Sequence, residues 1–142
     1  MKYKYVFIDW NGTLSDSKFW DSIPSLDLFE KIQKSLFVKN KHFIKDWMRG
    51  KTQSEKIVES ISNDIEEDAA FIFSELKKSC EQMKFASERT LPLISELRRK
   101  GSKVLIATDN MDTFKRWTAP TLKLNYRLVH YILKKRKDHC WG

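Results

Sequence analysis

Two short stretches carry residue types that could do chemistry on a phosphoryl or acyl centre. The first is Asp9-Trp10-Asn11-Gly12-Thr13-Leu14, directly after the apolar run 5–8. A carboxylate at a strand tip can act as a nucleophile, and a neighbouring divalent cation lowers the repulsion it meets at phosphorus. Asn11 brings an amide and a backbone carbonyl, and its amide exchanges no protons at useful pH. Gly12 lets the chain turn where a Cβ would be strained. The second stretch is Thr108-Asp109-Asn110, at the end of the run Val104-Leu-Ile-Ala. A hydroxyl there, helped by N–H groups of the following loop and helix, can hold an anionic oxygen. Each stretch also has a plainer reading: Asn-Gly is a strong turn signal, and Thr108 suits an ordinary strand-end cap.

Taken in order, the two stretches resemble the first two signatures of the haloacid-dehalogenase-like (HAD) hydrolases. F-I-D-W-N-G-T-L resembles D-x-D-G-T-[LV] after an apolar strand, and V-L-I-A-T-D-N resembles the strand ending in Ser or Thr. The resemblance implies a Mg²⁺-dependent phosphatase acting on a small phosphomonoester through an aspartyl-phosphate. Asp9 would be the nucleophile and Asn11 would stand at the acid/base position, with both as Mg²⁺ ligands, Asn11 through its carbonyl. Thr108, Asp109, Asn110 and Gly12 would hold phosphate, and Thr13 would brace the loop. The family has Asp where this chain has Asn11. Loss of a general acid/base costs about two to four powers of ten in rate, so the alternative is a catalytically inactive HAD-fold binding protein.

The family's third motif is a Lys or Arg and its fourth an acidic pair after another strand. Lys137 and Lys123 are the candidates for the cation, and no acidic pair follows an apolar strand after Thr108. The resemblance therefore implies a chain truncated at its C-terminus relative to the family, with a frameshift near 124–127 as one route. A further expectation follows. The 5–8 strand would lack a neighbour and present an apolar edge prone to self-association.

The elements that must position these residues are legible in outline. Residues 2–9 read as a first strand, covered on both faces. Residues 15–87 read as helical. Leu26, Phe29, Ile32 or Gln33, Leu36 and Phe37 follow helical spacing, with Pro24 in the first turn. Phe43, Ile44, Trp47 and Met48 make a second helix closed by Gly50. Thr52 and Glu55 form a capping box for a third helix with Ile57, Val58 and Ile61 inside. Asn63 and Glu66 open a fourth, carrying Ile65, Ala69, Ile72, Phe73, Leu76, Cys80 and Met83. Residues 90–100 form a helix with Pro92 in its first turn and Leu93, Ile94 and Leu97 inward. Lys103–Thr108 is a second buried strand, Asp112 caps a helix through Phe114 and Trp117, Pro120 interrupts it, and 126–133 is a third strand.

This order predicts an α/β fold: a Rossmann-like parallel sheet core (1–14 and 88–142) with an inserted helical cap (15–87). Phe19, Trp20, Phe43 and Trp47 are the aromatics that could shape a pocket, Phe19 and Trp20 being best placed.

A chain of 142 residues with 41% apolar and 13% aromatic content supports one modest packed domain. The start lacks a secretory pattern and no apolar run reaches membrane-spanning length, so a cytoplasmic protein without membrane contact is expected. Cys80 and Cys140 lie far apart and suggest neither a disulfide framework nor a zinc site. Of the net charge of +8, +5 falls in residues 123–142, so basicity is a property of the tail. The run K-K-R-K at 134–137 has no interleaved aromatics, so nucleic acid is not the expected partner; a small phosphorylated substrate is.

Overall fold

The computed structural model describes residues 3–109 and 111–124, together with the backbone of 130–133. Three parallel strands, β1 (Tyr5–Asp9), β2 (Lys103–Thr108) and β3 (His130–Leu133), form one sheet in the order β1-β2-β3. Asp9 is in register with Ala107, and Thr108 with Leu133. The chain is thus an α/β protein whose β1 and β2 ends lie side by side.

β2 sits in the middle and alternates as a strand half-covered by core should: Val104, Ile106 and Thr108 are buried. β1 corrects the expectation of a strand covered on both faces. Val6 and Ile8 pack against the core, while Tyr5 and Phe7 are 47% and 58% exposed. Their face carries no covering helix among the described residues. Among the described residues β1 pairs with β2 alone and so stands at an edge of the sheet.

Between β1 and β2 lie α1 (Leu26–Lys34), α2 (Lys41–Met48), α3 (Ser54–Ile65), α4 (Ala69–Glu81) and α5 (Thr90–Arg99). The hydroxyl of Ser25 caps α1 by accepting from Leu28 N at 3.3 Å, so Pro24 precedes the helix rather than entering its first turn. α1 runs on into a π-helical turn, Ser35–Lys39. One buried cluster joins Ile32, Leu36, Ile57, Ile61, Ile72 and Leu76 of the helices to Val104 and Ile106 of the sheet. The two ends of the helical segment meet: Ala86 N donates to Leu14 O at 2.8 Å. Among the described residues no helix is long and apolar enough to cross a membrane.

Several expected boundaries shift. α3 continues through Asn63 and ends at Glu66, which takes a left-handed φ of 56°. α4 starts later, its cap being Asp68, whose carboxylate accepts from Phe71 N at 2.8 Å. The Thr52–Glu55 box does not form. α3 begins at Ser54, and its first N–H is taken by Asp112 from 58 residues further along. Glu55 turns outward to Arg116. Leu93 is 56% exposed rather than inward, and Leu26 and Phe37 are also exposed. Pro120 does not interrupt its helix. A π-helical turn (Phe114–Thr118) leads straight into a short α6 (Ala119–Thr121) that contains it, so Pro120 sits in a first turn, where its missing N–H is not needed.

Candidate functional site at the strand tips

The chain leaves β1 through a tight turn built around one carbonyl. Trp10 O accepts from Thr13 N, Leu14 N and Ser15 N at 3.0–3.2 Å, and Gly12 N donates to Ser15 O at 2.8 Å. Gly12 stands at φ +73°, a conformation that other residues adopt only at a cost. Trp10 N donates to Asp9 Oδ1 at 2.9 Å, which orients the carboxylate. The turn uses the carbonyls of Asp9, Trp10 and Ser15; that of Asn11 is not among them.

Two cavities open beside these tips. The larger, about 450 Å³, is lined by Asn11 and Asp109. Its walls are Phe19, Phe29, Phe37, Ile44, Met48, Met83 and Met111, with Ser17, Lys18 and Gln33 as further polar groups. Such a mostly apolar hollow with a few polar groups is the usual make-up of a small-molecule site. The smaller, about 10 Å³, lies among Trp10, Asn11, Thr108, Asp109 and Thr113, room for about one water. The ring of Trp10 packs edge-on between Phe85 and Phe114. Its Nε1–H is the buried side-chain polar atom left without a partner among the described residues.

The expected site residues are therefore brought together in part. Asn11 and Asp109 line both cavities, and Thr108, 1% exposed, lines only the smaller one. Asp9 and Gly12 line neither, and Thr13 is exposed on the turn. Asn110 and Lys137 lie outside the described residues. Lys123 lines neither cavity. Of the four aromatics expected to shape a pocket, Phe19 does so, while Trp20 and Trp47 are fully buried in the core and Phe43 stacks on His42. An apolar aromatic in the sequence does not announce whether it meets core or cavity; Phe19 and Trp20 leave β1 through a non-helical stretch, while Phe43 and Trp47 lie on α2.

Sequence reasoning missed Phe29 and Phe37 as pocket residues. Phe37 reaches the pocket from the π-helical turn, where a widened turn redirects side chains relative to the α-helical repeat. It also missed the centre that ties the helical segment to the chain after β2. Asp112 accepts from Trp47 Nε1 (2.8 Å), Ser54 Oγ (2.8 Å), Ser54 N (3.2 Å) and Arg116 Nη1 (2.8 Å). Arg116 also forms a two-pronged pair with Glu55 at 2.7 and 3.0 Å and lies over the Trp117 ring. Burial by itself pushes the Asp112 carboxyl up, yet the hydrogen bonds from Trp47, Arg116 and Ser54 outweigh it and hold the group below the usual carboxylate range. The Arg116 hydrogen bonds likewise lower Glu55, and those of Glu55 and Asp112 raise Arg116. The Cys80 thiol is pushed up by burial, which suits an inert core residue.

For a cation, the tip offers hard oxygen donors of the kind Mg²⁺ takes: the Asp9 carboxylate and the Asn11 carbonyl. Among the described residues no group of three or more His, Cys, Asp or Glu could hold a metal ion. The chain matches no protein-family model, no curated protein and no solved structure.

Proposed function

We propose that the chain is a HAD-like phosphohydrolase acting on a small phosphomonoester with an apolar organic part. In this reading the parallel sheet is a Rossmann-like core and residues 15–87 are its helical cap. The observation that carries the proposal is the convergence of Asn11 and Asp109, from the ends of two neighbouring parallel strands, on one 450 Å³ pocket whose other walls come largely from the helical segment. Ligands of open α/β sheets lie beyond the carboxyl ends of their strands. The hydrogen bond between Ala86 and Leu14, at the two ends of the helical segment, fits an insertion into a core.

The Asp9 carboxylate, oriented by the Trp10 N–H, attacks phosphorus and displaces the alcohol oxygen, and water then hydrolyses the aspartyl-phosphate. Mg²⁺, held by the Asp9 carboxylate and the Asn11 carbonyl, would offset the charge of the phosphate. The Phe19, Phe29 and Phe37 side chains take the organic part out of water, worth on the order of 25 cal/mol per Å² buried. Lys18 adds a positive charge to the pocket lining, which suits an anionic substrate.

The test is phosphate release from an aryl phosphate with and without Mg²⁺. Stimulated release that Asp9→Asn abolishes is the expected result, and activity surviving Asp9→Asn refutes the assignment. Asn11→Asp should raise the rate. A second reading, a HAD-like fold that binds a phospholigand without turnover, is favoured by the amide at Asn11 and the small acidic complement. It predicts ligand binding by calorimetry with no phosphate released from a panel of phosphomonoesters.

A further inference from the structure

We propose that Asp109 is the proton donor and acceptor of this reaction, doing what the amide of Asn11 cannot; the assignment rests on the phosphatase reading above. Asp9 pairs with Ala107 on the neighbouring parallel strand. Asn11 lies two residues past Asp9, and Asp109 two residues past Ala107. Both residues follow strand ends that lie side by side in the sheet, and both line the small cavity and the large pocket. Asp109 is also the one carboxylate among the residues that line the large pocket. A carboxylate moved to the adjacent strand can reach the same space as one at position 11, because neighbouring strands run only about 4.8 Å apart.

The proton balance closes without another reagent. Asp109, as the acid, gives its proton to the alcohol oxygen while the bond from that oxygen to phosphorus breaks and the Asp9 oxygen–phosphorus bond forms. The Asp109 carboxylate then takes a proton from water as the water oxygen bonds to phosphorus and the phosphorus–Asp9 bond breaks. Asp9 returns as carboxylate and Asp109 as acid, leaving the alcohol and inorganic phosphate.

The experiment compares full-length wild type, Asp109→Asn, Asp109→Glu and Asp109→Asn combined with Asn11→Asp, with circular dichroism confirming that each folds. Phenyl phosphate, whose leaving group needs a proton, and dinitrophenyl phosphate, whose leaving group does not, are the probes. Asp109→Asn should cost about two to three powers of ten on phenyl phosphate and less than about tenfold in the release of dinitrophenol during the first turnover. The same variant should accumulate a phosphoryl adduct on Asp9, seen by intact mass. Asp109→Glu should recover part of the rate, and adding Asn11→Asp should restore turnover. Wild-type turnover with an unaffected Asp109→Asn variant, or an equal loss on both substrates with no adduct, overturns this assignment alone. A wild type with neither turnover nor adduct overturns the phosphatase reading and this assignment with it.

Discussion

Asp112→Ala removes a carboxylate that accepts four hydrogen bonds, and the structure sets how much that should cost. Trp47 and Ser54 are fully buried, so Trp47 Nε1, Ser54 N and Ser54 Oγ would each lose an acceptor out of reach of bulk water. A buried donor left unsatisfied costs about 1–3 kcal/mol. The Ser54 hydroxyl can rotate and water can enter the space the side chain vacates, so the net loss falls toward the lower end of that sum, about 3–5 kcal/mol. That is a large share of the roughly 5–15 kcal/mol by which such domains are stable. At about 2–4 °C per kcal/mol it corresponds to a fall in Tm of ~6–20 °C. Asp112→Asn keeps the shape and one acceptor oxygen and should cost about 1–2 kcal/mol. The carboxyl is held below its ordinary range, so its contribution is fully present above the unfolded pKa of about 4 and fades as pH falls toward the folded value. Asp112→Asn should therefore flatten the acid side of the stability profile. Thermal and urea unfolding across pH are the assays. An Asp112→Ala protein melting within about 3 °C of wild type would refute the view that this carboxylate clamps the helical segment to the chain beyond β2.

Gly12→Ala tests whether the turn needs glycine for space or for backbone freedom. An added Cβ meets nothing within 4 Å, so the cost should be the left-handed backbone alone, about 1–2 kcal/mol in urea unfolding, with pocket binding unchanged. Phe7→Lys places a charge on the exposed face of the edge strand; light scattering should show less association at high concentration, while Tm shifts by no more than about 2 °C because Phe7 is largely exposed already.

Local signals in the chain determined a good part of this protein. The apolar runs at 5–8 and 104–107, each followed by polar turn residues, marked β1 and β2 and put Asp9, Asn11, Thr108 and Asp109 at their tips. The helices between them announced themselves by apolar spacing. Those readings succeed because strand and helix periods, glycine turns and short caps are properties of neighbouring residues. The boundaries that failed were settled at long range. Ser54 starts α3 because a carboxylate 58 residues away takes its N–H, and no feature near Thr52 announces that. Phe7 is exposed because the described helices pack on one face of the sheet, whereas the apolar run itself reads as buried on both. Phe19, Trp20 and Trp47 are all large aromatics of the 15–87 segment, but only the packed arrangement turns Phe19 toward a cavity and the two tryptophans into core. The sequence by itself placed a carboxylate and an amide on one turn. The tertiary structure alone brought Asp109 to the same cavities as that amide, because the pairing of β1 with β2 is a relation between strands some hundred residues apart and no local pattern encodes it.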